Sequence, residues 1–248
     1  MPILRKIKET LLPGRRKEKE PSAAYDLWAQ SYDQQPDNLM LALDERICSD
    51  LFTCVALRGS VVTDIGCGTG RHWAKILSYR PARLVGYDVS SGMLDILQQK
   101  YPQAETYLFQ GGLLSELPAG SVDVVLSTLT IAHIPDIVAA LKEWNRVLRP
   151  GGEMIITDYH PAALARGGQR SFRAGGSVIA IRNHIYPIKK IRAISAKLGL
   201  REISVVEKHV DESMRPYYEK QQALATYQRF QGVPIIYGIH LKRSDVAQ

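Results

Sequence analysis

Cysteine is scarce: the 248 residues include three, Cys48, Cys54 and Cys67. Their spacing is not that of metal ligands, so no metal site is expected. An odd count without the apolar core of a signal peptide points to a reducing, cytoplasmic compartment rather than to a disulfide framework. No apolar run approaches the roughly 20 residues that a bilayer-crossing helix needs, and no transmembrane segment is expected. Internal repeats and low-complexity linkers are missing as well. A chain of this length can bury roughly 70 to 75% of its unfolded surface in one unit. The expectation is therefore one domain over 21–248, preceded by an arm over 1–20.

Acids are absent from one long segment. Residues 159–201 hold nine Lys and Arg (Arg166, Arg170, Arg173, Arg182, Lys189, Lys190, Arg192, Lys197 and Arg201) and no Asp or Glu. The arm carries seven basic residues against three acids, so with a formal net charge of +7 the remainder of the chain is acidic. An unbroken basic segment raises the local concentration of anions. In the arm, Ile3, Leu4, Ile7, Leu11 and Leu12 recur at near-helical spacing among basic residues, which suits an anionic surface, a partner or a solvated terminus.

A third glycine is missing from what would otherwise resemble a dinucleotide loop. The run Val61-Val62-Thr63-Asp64-Ile65 reads as a buried strand and passes into Gly66-Cys67-Gly68-Thr69-Gly70, where residues without Cβ let a ligand approach backbone amides. A pyrophosphate fingerprint wants its last glycine at position 71, and that residue is Arg71. A nucleoside remains compatible, because the next strand, 84–88, ends in Asp88, whose carboxylate can accept both ribose hydroxyls. Beyond it, helices at 22–32, 38–54 (capped by Asn38), 71–77, through 93–97 (capped by Ser90 and ending before Pro102), 136–147, 187–198 and 216–229 alternate with strands at 106–110, 122–126, 153–158, 202–210 and 235–241. That alternation specifies a parallel sheet with ligands beyond the strands' carboxyl ends.

The acid-x-Gly-x-Gly-x-Gly run and the acid ending the second strand resemble the class I S-adenosylmethionine-dependent methyltransferases, of the small-molecule, quinone-biosynthesis-like branch. The resemblance extends in order through Leu117-Pro118, Ser121-Val122-Asp123-Val124-Val125 and Leu148-Arg149-Pro150-Gly151-Gly152. Tyr25-Asp26-Leu27-Trp28-Ala29-Gln30-Ser31-Tyr32-Asp33 is similar to the family's cofactor-covering segment. What the resemblance implies is an α/β, Rossmann-like, seven-stranded and mostly parallel sheet with helices on both faces and an antiparallel last strand. It also implies S-adenosyl-L-methionine as donor and S-adenosyl-L-homocysteine as product. The donor would be held by Asp64, Gly66, Cys67, Gly68, Asp88, Val89, Met93, Gly112, Leu113 and Tyr32. One departure concerns adenine: where the family has Gly-Asp after the third strand this chain has Gly111-Gly112, leaving the backbone of Gly112 and Leu113, Leu114 or Glu116 to serve.

Further absences narrow the acceptor. The loop after the fourth strand lacks the Asn/Asp-Pro-Pro-aromatic run used on exocyclic amines of bases, and no Pro-Cys nucleophile for pyrimidine C5 is present. Both argue against nucleic acid. His133 in that loop, Tyr159 and His160 at the tip of the fifth strand, and Tyr32 are the candidates to orient or deprotonate an acceptor. Residues 171–182 read as a hairpin around Gly175-Gly176, inserted after strand five within a lid over 160–186. Phe172, Val178, Ile179 and Ile181 would exclude water while Arg170, Arg173 or Arg182 met an anion; alternatively the hairpin packs on a second subunit as a homodimer. The expected function is methyl transfer to a small, anionic or carrier-bound molecule. Its alternatives are carboxyl methylation of a carrier-protein-bound acid, RNA methylation on the basic segment, or a catalytically silent binding protein.

Overall fold

A computed structural model describes residues 17–245. Positions 1–16, with the apolar residues of the arm, lie outside the described residues. The strands are β1 (Lys17–Lys19), β2 (Val61–Ile65), β3 (Arg83–Asp88), β4 (Glu105–Leu108), β5 (Val122–Thr128), β6 (Leu148–Tyr159), β7 (Ser171–Ala174), β8 (Ser177–Ile181), β9 (Leu200–His209) and β10 (Pro234–Arg243). The helices are α1 (Pro21–Tyr32), α2 (Leu39–Phe52), α3 (Trp73–Ser78), α4 (Ser91–Lys100), α5 (Ile137–Val147), α6 (Pro161–Ala165), α7 (Ile188–Lys197), α8 (Arg215–Lys220) and α9 (Leu224–Phe230).

Local chemistry sets the starts of three long helices. Asn38 Oδ1 accepts from Met40 N at 3.1 Å and Leu41 N at 3.2 Å, Ser90 Oγ from Met93 N at 3.1 Å, and Asp136 Oδ1 from Val138 N and Ala139 N at 3.0 Å. Each cap satisfies amide groups that the helix itself cannot. The main sheet has the order β4-β3-β2-β5-β6-β10-β9, parallel except for β10, which runs antiparallel to both neighbours. Consecutive residues Val124 and Val125 fall into different core clusters, as a pleat requires. Leu43, Ile47 and Leu51 of α2 join Ile76, Leu94 and Leu97 on one face, and Ile137, Leu141, Trp144 and Val147 of α5 join Ile191 on the other. Burying one such side chain contributes roughly 1.5 to 3 kcal/mol. Gly238 lets α2 lie against the sheet, since a Cβ there would stand 2.6 Å from Ile47 Cγ2.

Three expectations change. The fifth sequential strand of the main sheet starts at Leu148, not at 153, because Leu148-Arg149-Pro150-Gly151-Gly152 is an irregularity inside β6. Pairing shifts from Val122 with Leu148 to Val124 with Glu153, and Gly151 at φ +73° absorbs the extra residues. The single helix expected at 216–229 is two, α8 and α9, parted near Gln222 at φ +54°. The hairpin is present as β7 and β8 joined through Gly175 and Gly176, both at positive φ. Its apolar face, however, is covered by the chain itself. Phe172, Ile179 and Ile181 pack with Ala24, Trp28 and Ala29 of α1 and with Met93, and β1 pairs in parallel with β8. The Phe172 and Trp28 rings stack 4.6 Å apart. The face expected to seek a second subunit is thus occupied by α1.

Candidate active site

The carboxyl ends of β2, β3 and β5, with α1 and the hairpin segment above them, enclose a cavity of about 810 Å³. The glycine loop forms its floor. Gly66, Gly68 and Gly70 all have positive φ, at +75°, +53° and +72°. Their surroundings differ: a Cβ on Gly66 would lie 2.1 Å from Thr130 Oγ1, whereas nothing lies within 4 Å of the corresponding point on Gly68. Gly66 therefore admits the loop after β5, and Gly68 leaves open room where it lines the cavity. Gly68 N donates to Asp88 Oδ2 at 2.8 Å and Ser90 N to Asp88 Oδ1 at 2.9 Å. Burial raises the Asp88 carboxyl to about 6, against the lowering effect of these two amides. An ionised carboxylate has about four acceptor sites, so Asp88 retains capacity for the paired hydroxyls of a ribose. This loop and acid fit a nucleoside.

The remaining residues expected to hold the donor divide. Tyr32, Val89, Met93 and Gly112 line the cavity together with Gly66, Gly68 and Asp88. Asp64 and Cys67 do not: Asp64 is buried beneath the loop, its Oδ2 accepting from Trp73 Nε1 at 2.9 Å, and Cys67 is buried with its sulfur close to Gly86. Leu113 is 69% exposed and turns away from the cavity, Leu114 is core, and Glu116 accepts from Tyr87 and Ser115. Missed in the sequence were Phe109, Gln110 and Gly111, which line the cavity beside Gly112, and Glu143 of α5. Glu143 Oε1 accepts from Leu114 N at 2.7 Å and so ties the loop after β4 to α5. Its contribution comes from a distant helix and left no local signal.

Arg71, the residue that breaks the dinucleotide pattern, anchors the loop. Its guanidinium pairs with the fully buried Asp44 of α2, which also accepts from Thr157 and lies 2.9 Å from His72 Nε2. His72 Nδ1 is 3.2 Å from Glu45. Among the described residues Asp44, Cys48 and His72 are one group with metal-ligand atoms close together. The guanidinium of Arg71 already supplies the cationic charge there.

At the other end of the cavity stands a cluster of Tyr25, His133 and Arg170. His133 Nδ1 donates to the Arg182 carbonyl at 2.9 Å, which leaves Nε2 as acceptor for Tyr25 Oη at 3.0 Å, with Arg170 Nη1 at 3.2 Å. Burial first, and Arg170 second, hold His133 down to about 3, so it is neutral at physiological pH with both nitrogens engaged. Desolvation likewise pushes the Tyr25 hydroxyl far up. Arg170 is buried, hydrogen bonds to Tyr25, and donates to the carbonyl of Leu129 at 2.8 Å. Leu129 itself sits at φ +54°, a costly conformation for a branched residue that this bond helps to hold. Tyr159 and His160 line no part of this cavity. Tyr159 lies under the Arg170 guanidinium, its ring centre 4.9 Å away, and faces a second cavity of about 820 Å³. His160 caps α6 by accepting from Ala162 N at 3.1 Å and contacts Glu207 at 3.4 Å. His133 and His160 therefore do not converge, because His133 faces the first cavity while His160 is turned to the start of α6 as its cap.

A doubly wound sheet with an antiparallel strand in the penultimate position is a fold shared with solved S-adenosylmethionine-dependent methyltransferases, among them one from Mesorhizobium loti at a TM-score of 0.57 and 18% identity over 76% of this chain and 93% of the other. Residues 63–156 match the family described as Methyltransferase domain. The chain is 34% identical over 151 residues to a malonyl-acyl-carrier-protein O-methyltransferase of Yersinia pestis, covering 60% of this chain and 53% of the relative. It is 37% identical over 113 residues to a trans-aconitate 2-methyltransferase of Azoarcus sp., covering 45% and 44%. The chain thus spans about half the length of these curated relatives. Among solved structures it is similar to the [4+2]-cyclase SpnF, with a TM-score of 0.68 at 14% identity over 92% of this chain and 98% of the other. That likeness concerns the fold alone. No helix among the described residues is long and apolar enough to cross a membrane.

Proposed function

We propose that the protein transfers a methyl group from S-adenosylmethionine to a small acceptor that is anionic or borne on a carrier, within the cytoplasm. The observation that carries this reading is the pairing of Gly68 N with Asp88 Oδ2 on the wall of a large cavity, with open space above Gly68. Asp88 would take the ribose hydroxyls, Val89 and Met93 would flank the nucleoside, and the backbone of Gly111 and Gly112 would face adenine in place of the missing acid. When bound, the donor supplies an electrophilic methyl group on a sulfonium. The chain's own task is to hold a nucleophile opposite that group and to exclude water, and positioning of this kind is worth roughly 7 to 11 kcal/mol. Tyr25 and Tyr32 of α1, with the segment 160–186, would close over the cavity. His133, neutral and doubly hydrogen bonded, would position Tyr25 and Arg170 instead of removing a proton. An acceptor that is already deprotonated suits such a site.

Two features support an anionic acceptor: Arg170 lines the cavity, whereas the guanidinium of Arg182 beside it is already paired with Glu18 and Glu20, and two relatives are named for malonyl-acyl-carrier protein and trans-aconitate. Methylation of a carrier-bound acid is the second reading, favoured by the first of those names. Calorimetric titration with S-adenosylmethionine, followed by transfer of a tritiated methyl group to fractionated cell extract, tests the proposal. Binding with transfer to a small-molecule or carrier fraction is expected. Absence of binding overturns it, and binding without transfer to any fraction identifies a silent binding protein.

A further inference from the structure

Arg170 is a buried cation that makes no direct salt bridge among the described residues. It is 6% exposed, and its Nη1 is engaged by the Leu129 carbonyl, Tyr25 and His133, while Nη2 has no hydrogen-bond partner among the described residues. Asp158 acts on it electrostatically from nearby, but its oxygens accept from Ala132 N at 2.7 Å and Tyr159 N at 2.6 Å and make no hydrogen bond to the guanidinium. Tyr25 and His133, the titratable side chains hydrogen bonded to it, are both held neutral by burial. Burying a charge without a counter-charge is costly, and such groups are paired in finished structures. With charge supplied only at a distance by Asp158 and by the rings of Tyr25 and Tyr159, Nη2 is left open to a partner from outside the chain.

We infer that the free amino group of Arg170 receives a carboxylate of the acceptor, and that this carboxylate is a spectator that is not itself methylated. The inference rests on the methyltransferase reading above. Its location comes from the two cavities: Arg170 lines the first, while Gln169, Ser171 and Tyr159 around it line the second, so the guanidinium stands in the wall between them. Asp88 and Val89, at the tip of β3, line only the first. The charge class follows from the donors. One free guanidinium amino group balances a single negative charge, whereas a phosphate monoester carries about −1.5 to −2 and calls for more donors than this site presents. The spectator role follows from the chemistry. Methylation turns a carboxylate into a neutral ester, so a salt link to the reacting oxygen weakens on the way to the transition state and raises the barrier. A second carboxylate keeps its charge throughout and is held equally well before and after transfer.

The test is calorimetric and uses the full chain saturated with S-adenosylhomocysteine. The probes are succinate, glutarate and benzoate, each against the compound in which every carboxylate is replaced by a primary amide. At least one acid is expected to bind about tenfold or more tightly than its amide. Arg170→Gln should remove that preference, Arg170→Lys should restore part of it, and affinity for S-adenosylhomocysteine should stay within a few-fold in both variants. The inference is overturned if no acid outbinds its amide, if the preference survives in Arg170→Gln, or if that variant loses S-adenosylhomocysteine about tenfold, which would place the donor's own carboxylate at Arg170. Should the variants fail to fold, the acid and amide comparison on the unaltered chain decides alone. Failure of the methyltransferase reading shows earlier and differently, as a chain that never binds S-adenosylhomocysteine.

Discussion

Asp88 accepts two backbone amides and still offers acceptor sites, yet burial holds its carboxyl at about 6. Hydrogen bonds to a charged group are worth roughly 1.5 to 3 kcal/mol, so Asp88→Ala should weaken S-adenosylmethionine by about ten- to a hundredfold by calorimetry. The pH dependence has a definite sign. Ribose hydroxyls donate to the ionised form, so binding lowers the Asp88 pKa, and affinity should be level above about 6 and fall as pH drops below it. Turnover at saturating donor should show no ionisation of His133 between about pH 5 and 8, because that imidazole is held at about 3. A kcat step near the ordinary histidine value of about 6.5 that vanishes in His133→Gln would return His133 to the role of base.

Element by element, α1 and the hairpin form a cover that reaches the sheet layer through α4, where Met93 joins their cluster and Asp26 accepts from Ser90 and Gly92. Their shared cluster of Ala24, Trp28, Phe172, Ile179 and Ile181 is separate from the two cores that cover the sheet faces. Phe172→Ala removes the ring stacked on Trp28, a loss of about 3 kcal/mol or more for a buried aromatic. It should appear as local opening, with amides of α1, β7 and β8 exchanging about a hundredfold faster while β2 and β5 keep their protection, and with turnover reduced. Equal acceleration in β5 would mean that the cover and the sheet unfold as one. The same division explains what the chain discloses before it folds. Strand β2, its glycines, Asp88 and the caps Asn38 and Ser90 were legible, because each belongs to a short local pattern, an apolar strand with its tip or a helix start. The roles of Arg71 and Glu143 were not, since their partners Asp44 and Leu114 lie on other elements. Tyr159 and His160 were correctly placed at the strand's end, but an end of a sheet does not reveal which side each residue faces.

For the molecule as a whole, a ligand that binds only the folded state stabilises it by about 2.7 kcal/mol at a hundred times its Kd. In a chain of this size each kcal/mol moves Tm by roughly 2 to 4 °C, so S-adenosylhomocysteine at that concentration should raise Tm by about 5 to 11 °C. Two glycines separate binding from stability. Gly68 and Gly59 both adopt left-handed backbone, at φ +53° and +70°, and neither has any atom within 4 Å of where a Cβ would stand. Alanine at either position meets the same left-handed penalty, roughly 1 to 2 kcal/mol, and no clash. Gly68→Ala and Gly59→Ala should therefore lower the ligand-free Tm by similar amounts, about 2 to 8 °C. Only Gly68 borders the cavity and donates to Asp88. The ligand-induced rise should survive intact in Gly59→Ala and shrink sharply in Gly68→Ala, where the new methyl group occupies the space open to the donor. A full rise in both variants would show that the donor does not lie against this loop, and the assignment of the cavity would have to be abandoned.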